Sequence, residues 1–137
     1  MSRFEKAETT LLRYKLNQPV GGSGVSAVDV VLVELTDSDG ATGLGFTSVI
    51  GGFGGEIARA AARSLIERFV LNQLWMPPRA LWRQIAASFN RSGLGANMVA
   101  LAAIDVAAWD MEANRRGVPL GAAMGGVSRA VPRLREW

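Results

Sequence analysis

Two aspartates, Asp105 and Asp110, stand in a run from Met98 to Ala113 whose only other polar residue is Glu112. Paired carboxylates suggest general acid–base work or a divalent cation. Five positions on a helix, however, set the two side chains about 140° apart, so they cannot form a close dyad on one face. Two carboxylates alone also supply too few oxygens for a hard cation. A buried Asp is costly unless paired. Each is therefore expected to hydrogen-bond a backbone group or an arginine such as Arg83 or Arg91. The chain has no Cys and no His, which excludes thiol nucleophiles, disulfides, Cys/His zinc sites and Ser-His-Asp triads. Acid–base chemistry is left to Asp, Glu, Tyr14, Lys6 and Lys15.

The second arrangement with chemical potential is Gly51-Gly52-Phe53-Gly54-Gly55, between an expected strand and an expected helix. Backbone N–H groups at a helix N-terminus attract anions. Neither GxGxxG nor GxxxxGK[ST] occurs, and no strand with a ribose-binding acid follows. A glycine-rich flexible flap is the better reading.

The elements that must position these residues can be read in order. Phe4–Leu16 reads as a strand with Leu12, Tyr14 and Leu16 on one face. Asn17–Gly24, with one Pro and three Gly, reads as a mobile loop. Ser26–Thr36 is the best strand. Val28, Val30 and Leu32 lie on one face and Val31, Val33 and Leu35 on the other, which predicts a central strand apolar on both sides. Asp37–Gly40 is a turn. Thr42–Ile50 returns with Leu44, Phe46, Ser48 and Ile50 on one face, completing a three-stranded antiparallel meander. A helix follows with Ile57, Ala61, Leu65 and Phe69 along one side and Glu56, Arg59, Arg63 and Glu67 along the other, with Arg63 positioned to pair with Glu67. Pro78 starts a second helix bearing Leu81, Ile85 and Phe89. Asn97 is the expected N-cap of the apolar central helix. Arg115, Arg116, Gly117 and Pro119 end that helix, and Pro119–Met124 makes one further helical turn. Trp75, Trp82 and Trp109 sit among apolar residues and are expected to pack in the core.

The 137 residues suffice for one domain, and 49% are apolar. No apolar run reaches the ~18 residues of a membrane span and no signal-peptide core is present, so a cytoplasmic protein without a membrane partner is expected. The net charge is +3. From Arg115 onward five arginines face one acid, Glu136. Only Trp137 interleaves with them to stack bases, so a solvated basic terminus is preferred over a nucleic-acid surface.

Ala100, Ala102–Asp105, Ala107, Ala108, Asp110 and Met111, followed by Gly117, Pro119, Leu120, Gly125 and Gly126, resemble a signature of the enolase superfamily. The mandelate racemase/muconate lactonizing enzymes are the subgroup they resemble. The resemblance covers essentially the whole chain and implies an α+β N-terminal capping domain: the meander, then a helical bundle, over residues 1–126. Residues 127–137 would then be a linker and an aborted first barrel strand, opening at Val131-Pro132. Asn114, Ala123 and Met124 depart mildly from the family's usual residues.

In that family a base removes the proton α to a carboxylate and Mg²⁺ stabilises the enediolate, on a (β/α) barrel of roughly two hundred residues. No such barrel is expected within these 137 residues. The resemblance therefore implies no catalytic residue, no metal ligand and no cofactor in this chain. What it implies is a lid: Asn17–Gly24 and Ile50–Gly55 would close over a barrel mouth. Val20, Gly21, Gly22, Gly24, Gly51, Gly52, Phe53 and Gly54 would then contact a small carboxylate substrate, if a barrel is present. The chain is expected to be an incomplete product, inactive alone. The alternative is a non-catalytic interaction module that self-associates or binds a partner through exposed apolar surface. A basic nucleic-acid binder stands third.

Overall fold

The computed structural model describes residues 1–130. Val131-Pro132 and the arginines after it lie outside the described residues. Three strands, β1 (Phe4–Val20), β2 (Val25–Asp37) and β3 (Thr42–Ile50), form one antiparallel sheet in the order β1-β2-β3. Five helices follow: α1 (Gly55–Phe69), α2 (Pro78–Ala86), α3 (Phe89–Ser92), α4 (Gly95–Arg116) and α5 (Leu120–Ala123). This is the expected α+β arrangement of a meander followed by helices, and the described residues contain no barrel.

The inner face of β2 carries Val31, Val33 and Leu35, all fully buried beneath α4 and α1. β-branched side chains suit such a pleated, enclosed surface. Aspartates end this row on both sides, Asp29 and Asp37, and both are also buried. The outer face differs from the two-sided core read from the sequence. Tyr14–Val28–Ile50, Leu12–Val30–Ser48 and Thr10–Leu32–Phe46 form consecutive cross-strand rows on it, and no element among the described residues covers them. Leu44, Phe46 and Ile50, which the sequence groups correctly on one face, are on this exposed side.

Helix α4 can lie close to the sheet because β3 presents two glycines inward. A Cβ at Gly43 would stand 2.1 Å from the Ala107 carbonyl oxygen, and one at Gly45 2.0 Å from that of Ala103. Two polar side chains of α4 then close the free edge of β3. Asp110 accepts the Leu44 N–H at 2.9 Å, and the Asn114 amide donates to the Thr42 carbonyl at 2.8 Å. Pairing the open edge in this way removes a template for further strands. The helix ends as expected, with Gly117 left-handed at φ +61°.

Several details correct the sequence reading. The buried stripe of α1 is Ala58, Ala62, Leu65 and Ile66, while Ile57 is exposed. Glu56 rather than Glu67 approaches an arginine, at 3.9 Å from Arg59. Asn97 lies inside the first turn of α4, and its amide donates back to the Ser92 and Gly93 carbonyls at 3.2 and 2.8 Å. Leu94 occupies the capping position instead. Trp82 is exposed rather than core. Arg115 is a tertiary clamp rather than a solvated charge. It donates to Asp37 and to the Ser2 hydroxyl and lies 4.7 Å over the Trp75 ring.

Candidate functional site

Antiparallel pairing decides where the two glycine-rich segments fall. The β1–β2 turn sits at the start of β2. β3 runs back to the same end, so that Ile50 pairs with Val28. Both segments therefore leave the sheet at one end. The first is tighter than the sequence suggests. Residues 17–20, expected to be loop, continue β1, and Val20 pairs with Val25. Between Lys15↔Ala27 and Val20↔Val25 the register slips. Leu16–Pro19 consequently bulge against Ser26 alone. Gly21 and Gly22 form a 3-10 turn, and Gly24 closes it in the left-handed region at φ +70°. That conformation costs glycine nothing.

The second segment is pinned at both ends. The Gly51 N–H donates to the Ala27 carbonyl at 2.9 Å. Gly52 lies so near that a Cβ would meet the Ala27 Cβ at 2.6 Å. Gly54, left-handed at φ +95°, begins α1. Phe53 between them is 81% exposed and Val20 60% exposed. Those two apolar side chains thus project from the same end of the sheet, one from each segment.

An ion pair between the half-exposed Arg13 and the buried Asp29 joins the bases of the two segments. Asp29 accepts Arg13 Nε at 2.7 Å and Nη2 at 2.9 Å, and its second oxygen also accepts the Gly55 N–H at 3.1 Å. Arg13 precedes the bulge of the first segment and Gly55 follows the second. The Arg13 guanidinium, by hydrogen bonding, holds the Asp29 carboxyl below the usual carboxylate range, against an opposing push from burial. A Cβ at Gly55 would fall 2.5 Å from Asp29 Oδ2, so this contact requires glycine. Sequence reasoning missed Asp29. Its signal was parity: it shares the inward phase of Val31, Val33 and Leu35.

The two helical aspartates diverge in role. Asp110 bonds a backbone group, as expected. Asp105 has no hydrogen bond or ion pair among the described residues, contrary to expectation. It lines an open cavity of about 300 Å³ with Arg79, Arg83, Trp82, Trp109 and Met124, and burial raises its pKa. Among the described residues no three Asp or Glu side chains gather to hold a metal ion. They do not fit a Mg²⁺ site. No helix among them is long and apolar enough to cross a membrane.

Residues 7–125 match the family model of the mandelate racemase / muconate lactonizing enzyme N-terminal domain. A 3,6-anhydro-alpha-L-galactonate cycloisomerase of Streptomyces coelicolor is 29% identical over 94% of this chain and 37% of its own length. A hydrophobic dipeptide epimerase of Roseobacter litoralis is 36% identical over 75% of this chain and 28% of its own. In structure, the L-talarate/galactarate dehydratase of Salmonella typhimurium, liganded with Mg and L-lyxarohydroxamate, superposes with a TM-score of 0.77 at 24% identity. That match covers 90% of this chain and 34% of the dehydratase. The chain thus spans about a third of the length of the relatives it matches. A family match across nearly all of the described sheet and helices leaves one assignment: the chain belongs to the mandelate racemase/muconate lactonizing enzyme family, as its N-terminal domain.

Proposed function

We propose that this domain caps the active site of a Mg²⁺-dependent enzyme acting on a carboxylate substrate, a racemase, dehydratase or cycloisomerase, and that it is inactive alone. The observation that carries the reading is the placement of both glycine-rich segments at one end of the sheet, each offering one exposed apolar side chain, Val20 and Phe53. A lid needs contact residues that exclude water and a backbone that can move over substrate. Val20, Gly21, Gly22 and Gly24 supply these on one side, and Gly51, Gly52, Phe53 and Gly54 on the other. The chemistry that Mg²⁺ supplies, stabilising an enediolate, lies with residues beyond those described. The names of the relatives, a cycloisomerase, an epimerase and a dehydratase, support the reaction class without selecting one member.

The test is proton exchange followed by NMR in D2O. The purified chain with Mg²⁺ and a panel of hydroxy acids is expected to leave every α-proton in place. A chimaera in which this chain replaces the N-terminal third of the Streptomyces coelicolor cycloisomerase is expected to turn over that enzyme's substrate. Metal-dependent exchange by the chain alone would contradict the reading. So would a folded chimaera with no activity.

A further inference from the structure

We propose that the groove between α1, α2, α3 and the first turn of α4 binds the phosphate ester of a small polyol or sugar. The groove has a volume of about 410 Å³, within the ~300–1,000 Å³ of small-molecule sites. Two arginines line it from different helices, Arg68 in the last turn of α1 and Arg91 in α3. Among the described residues neither guanidinium has an ion-pair partner. Among them, too, no acid lines the groove. Glu67, next to Arg68 in sequence, lines an adjoining groove with Arg63 instead. A cleft walled by one sign of charge concentrates counter-ions. Two guanidiniums from two helices exceed what one carboxylate can satisfy, since a single arginine fork engages both of its oxygens. A phosphate monoester offers three acceptor oxygens and roughly two negative charges at neutral pH, enough for both.

The other groups in the groove call for hydroxyls on the same ligand. The Ser88 hydroxyl donates to the Ile85 carbonyl at 2.7 Å, and the Ser92 hydroxyl to that of Ser88 at 3.3 Å. The Asn97 amide nitrogen donates to the Ser92 and Gly93 carbonyls at 3.2 and 2.8 Å. These donor protons are thus committed to the backbone. The side-chain oxygens of Ser88 and Asn97 keep lone pairs for an incoming donor. A bare phosphate dianion has no proton to give them, whereas the hydroxyls of a polyol do. Leu65, which is buried, and the half-buried Phe69 supply apolar lining, suited to the C–H groups between those hydroxyls. The Asn97 bonds also tie the end of α3 to the start of α4, so the walls are formed without a ligand, as is usual for such sites.

The proposal does not rest on the capping role, and the groove shares no residue with either lid segment. It is tested on the purified chain by proton–nitrogen NMR titration in a phosphate-free buffer of low salt. Glycerol 3-phosphate should shift the amides of Arg68 and of residues 88–97 saturably, and should bind about tenfold tighter than inorganic phosphate or D-glycerate. Arg68 and Arg91 are both exposed, so Arg68→Gln and Arg91→Gln should leave the thermal midpoint unchanged. Each should weaken glycerol 3-phosphate about tenfold, the loss of one charge-assisted contact, while Arg63→Gln leaves it unaltered. Ser88→Ala should narrow the preference over inorganic phosphate by about threefold, the loss of one neutral hydrogen bond. No saturation below ~10 mM would overturn the proposal. So would inorganic phosphate or D-glycerate binding as tightly as glycerol 3-phosphate, or binding indifferent to either arginine.

Discussion

Asp29 joins three parts of the chain: β2, the Arg13 end of β1 and the Gly55 start of α1. Asp29→Asn keeps the shape and removes the charge. Amide exchange near Gly24 and near Gly54 should then accelerate together, because one carboxylate restrains both bases. Acceleration at only one segment would contradict that coupling. Asp37 makes a similar knot at the other end of β2. Burial pushes its carboxyl up, but the Ala41 and Asp39 N–H groups, Ser2 and Arg115 outweigh that and hold it low. Both aspartates thus titrate below their unfolded value of ~3.9. The unfolded chain takes up protons first as pH falls, so the stability they contribute is complete above pH ~4 and is lost on descent through the folded values. Urea midpoints should fall steeply below pH 4, and Asp37→Asn should flatten that fall. A midpoint constant down to pH 2.5 would contradict it. Neither aspartate was legible as a site. A lone acid within a valine-rich strand gains meaning only once its cross-strand partner is known. By contrast, helical angle alone excluded a dyad of Asp105 and Asp110, but of the bonds expected for both only that of Asp110 is made among the described residues.

At the scale of elements, the contact between α4 and β3 depends on what Gly43 and Gly45 lack. Gly45→Ala would drive a methyl into the Ala103 carbonyl. Overpacking of this kind costs typically 1–3 kcal/mol, and the backbone clash argues for about 3 kcal/mol by chemical denaturation. Ser48→Ala, on the open face of the same strand, should change stability by less than ~0.5 kcal/mol. Equal effects would mean that α4 does not approach as described. Asp110→Ala leaves the Leu44 N–H without its acceptor and should cost about 1 kcal/mol. The meander, the end of α4 at Gly117 and the short α5 turn could all be read in advance, because their punctuation is local. The outer face of the sheet could not. Alternation in β2 says that both faces are apolar, but not that only one is covered. The α1 stripe was displaced for a related reason: small alanines at 58 and 62 mark a close approach to α4 that hydrophobicity alone underrates.

For the whole molecule, position matters more than any single catalytic group. The described residues gather no metal ligands and instead present two glycine-bordered apolar tips at one end of a rigid sheet. Family membership was legible from the pattern around Asp105 and Asp110, whose fixed spacing records how α4 packs. The proposed substrate-facing role of the tips rests on that resemblance, since glycine-rich segments by themselves indicate mobility and not what they cover. The measurement that bears most directly on the capping role is steady-state kinetics on the cycloisomerase chimaera carrying Phe53→Ala, with Arg63→Ala on the exposed side of α1 as control. Loss of a lid contact should lower kcat/KM by about tenfold or more, equivalent to ~1.4 kcal/mol or more, with thermal stability unchanged, while Arg63→Ala leaves the kinetics unaltered. A Phe53→Ala chimaera as active as its parent would contradict the assignment of this end of the sheet as the lid.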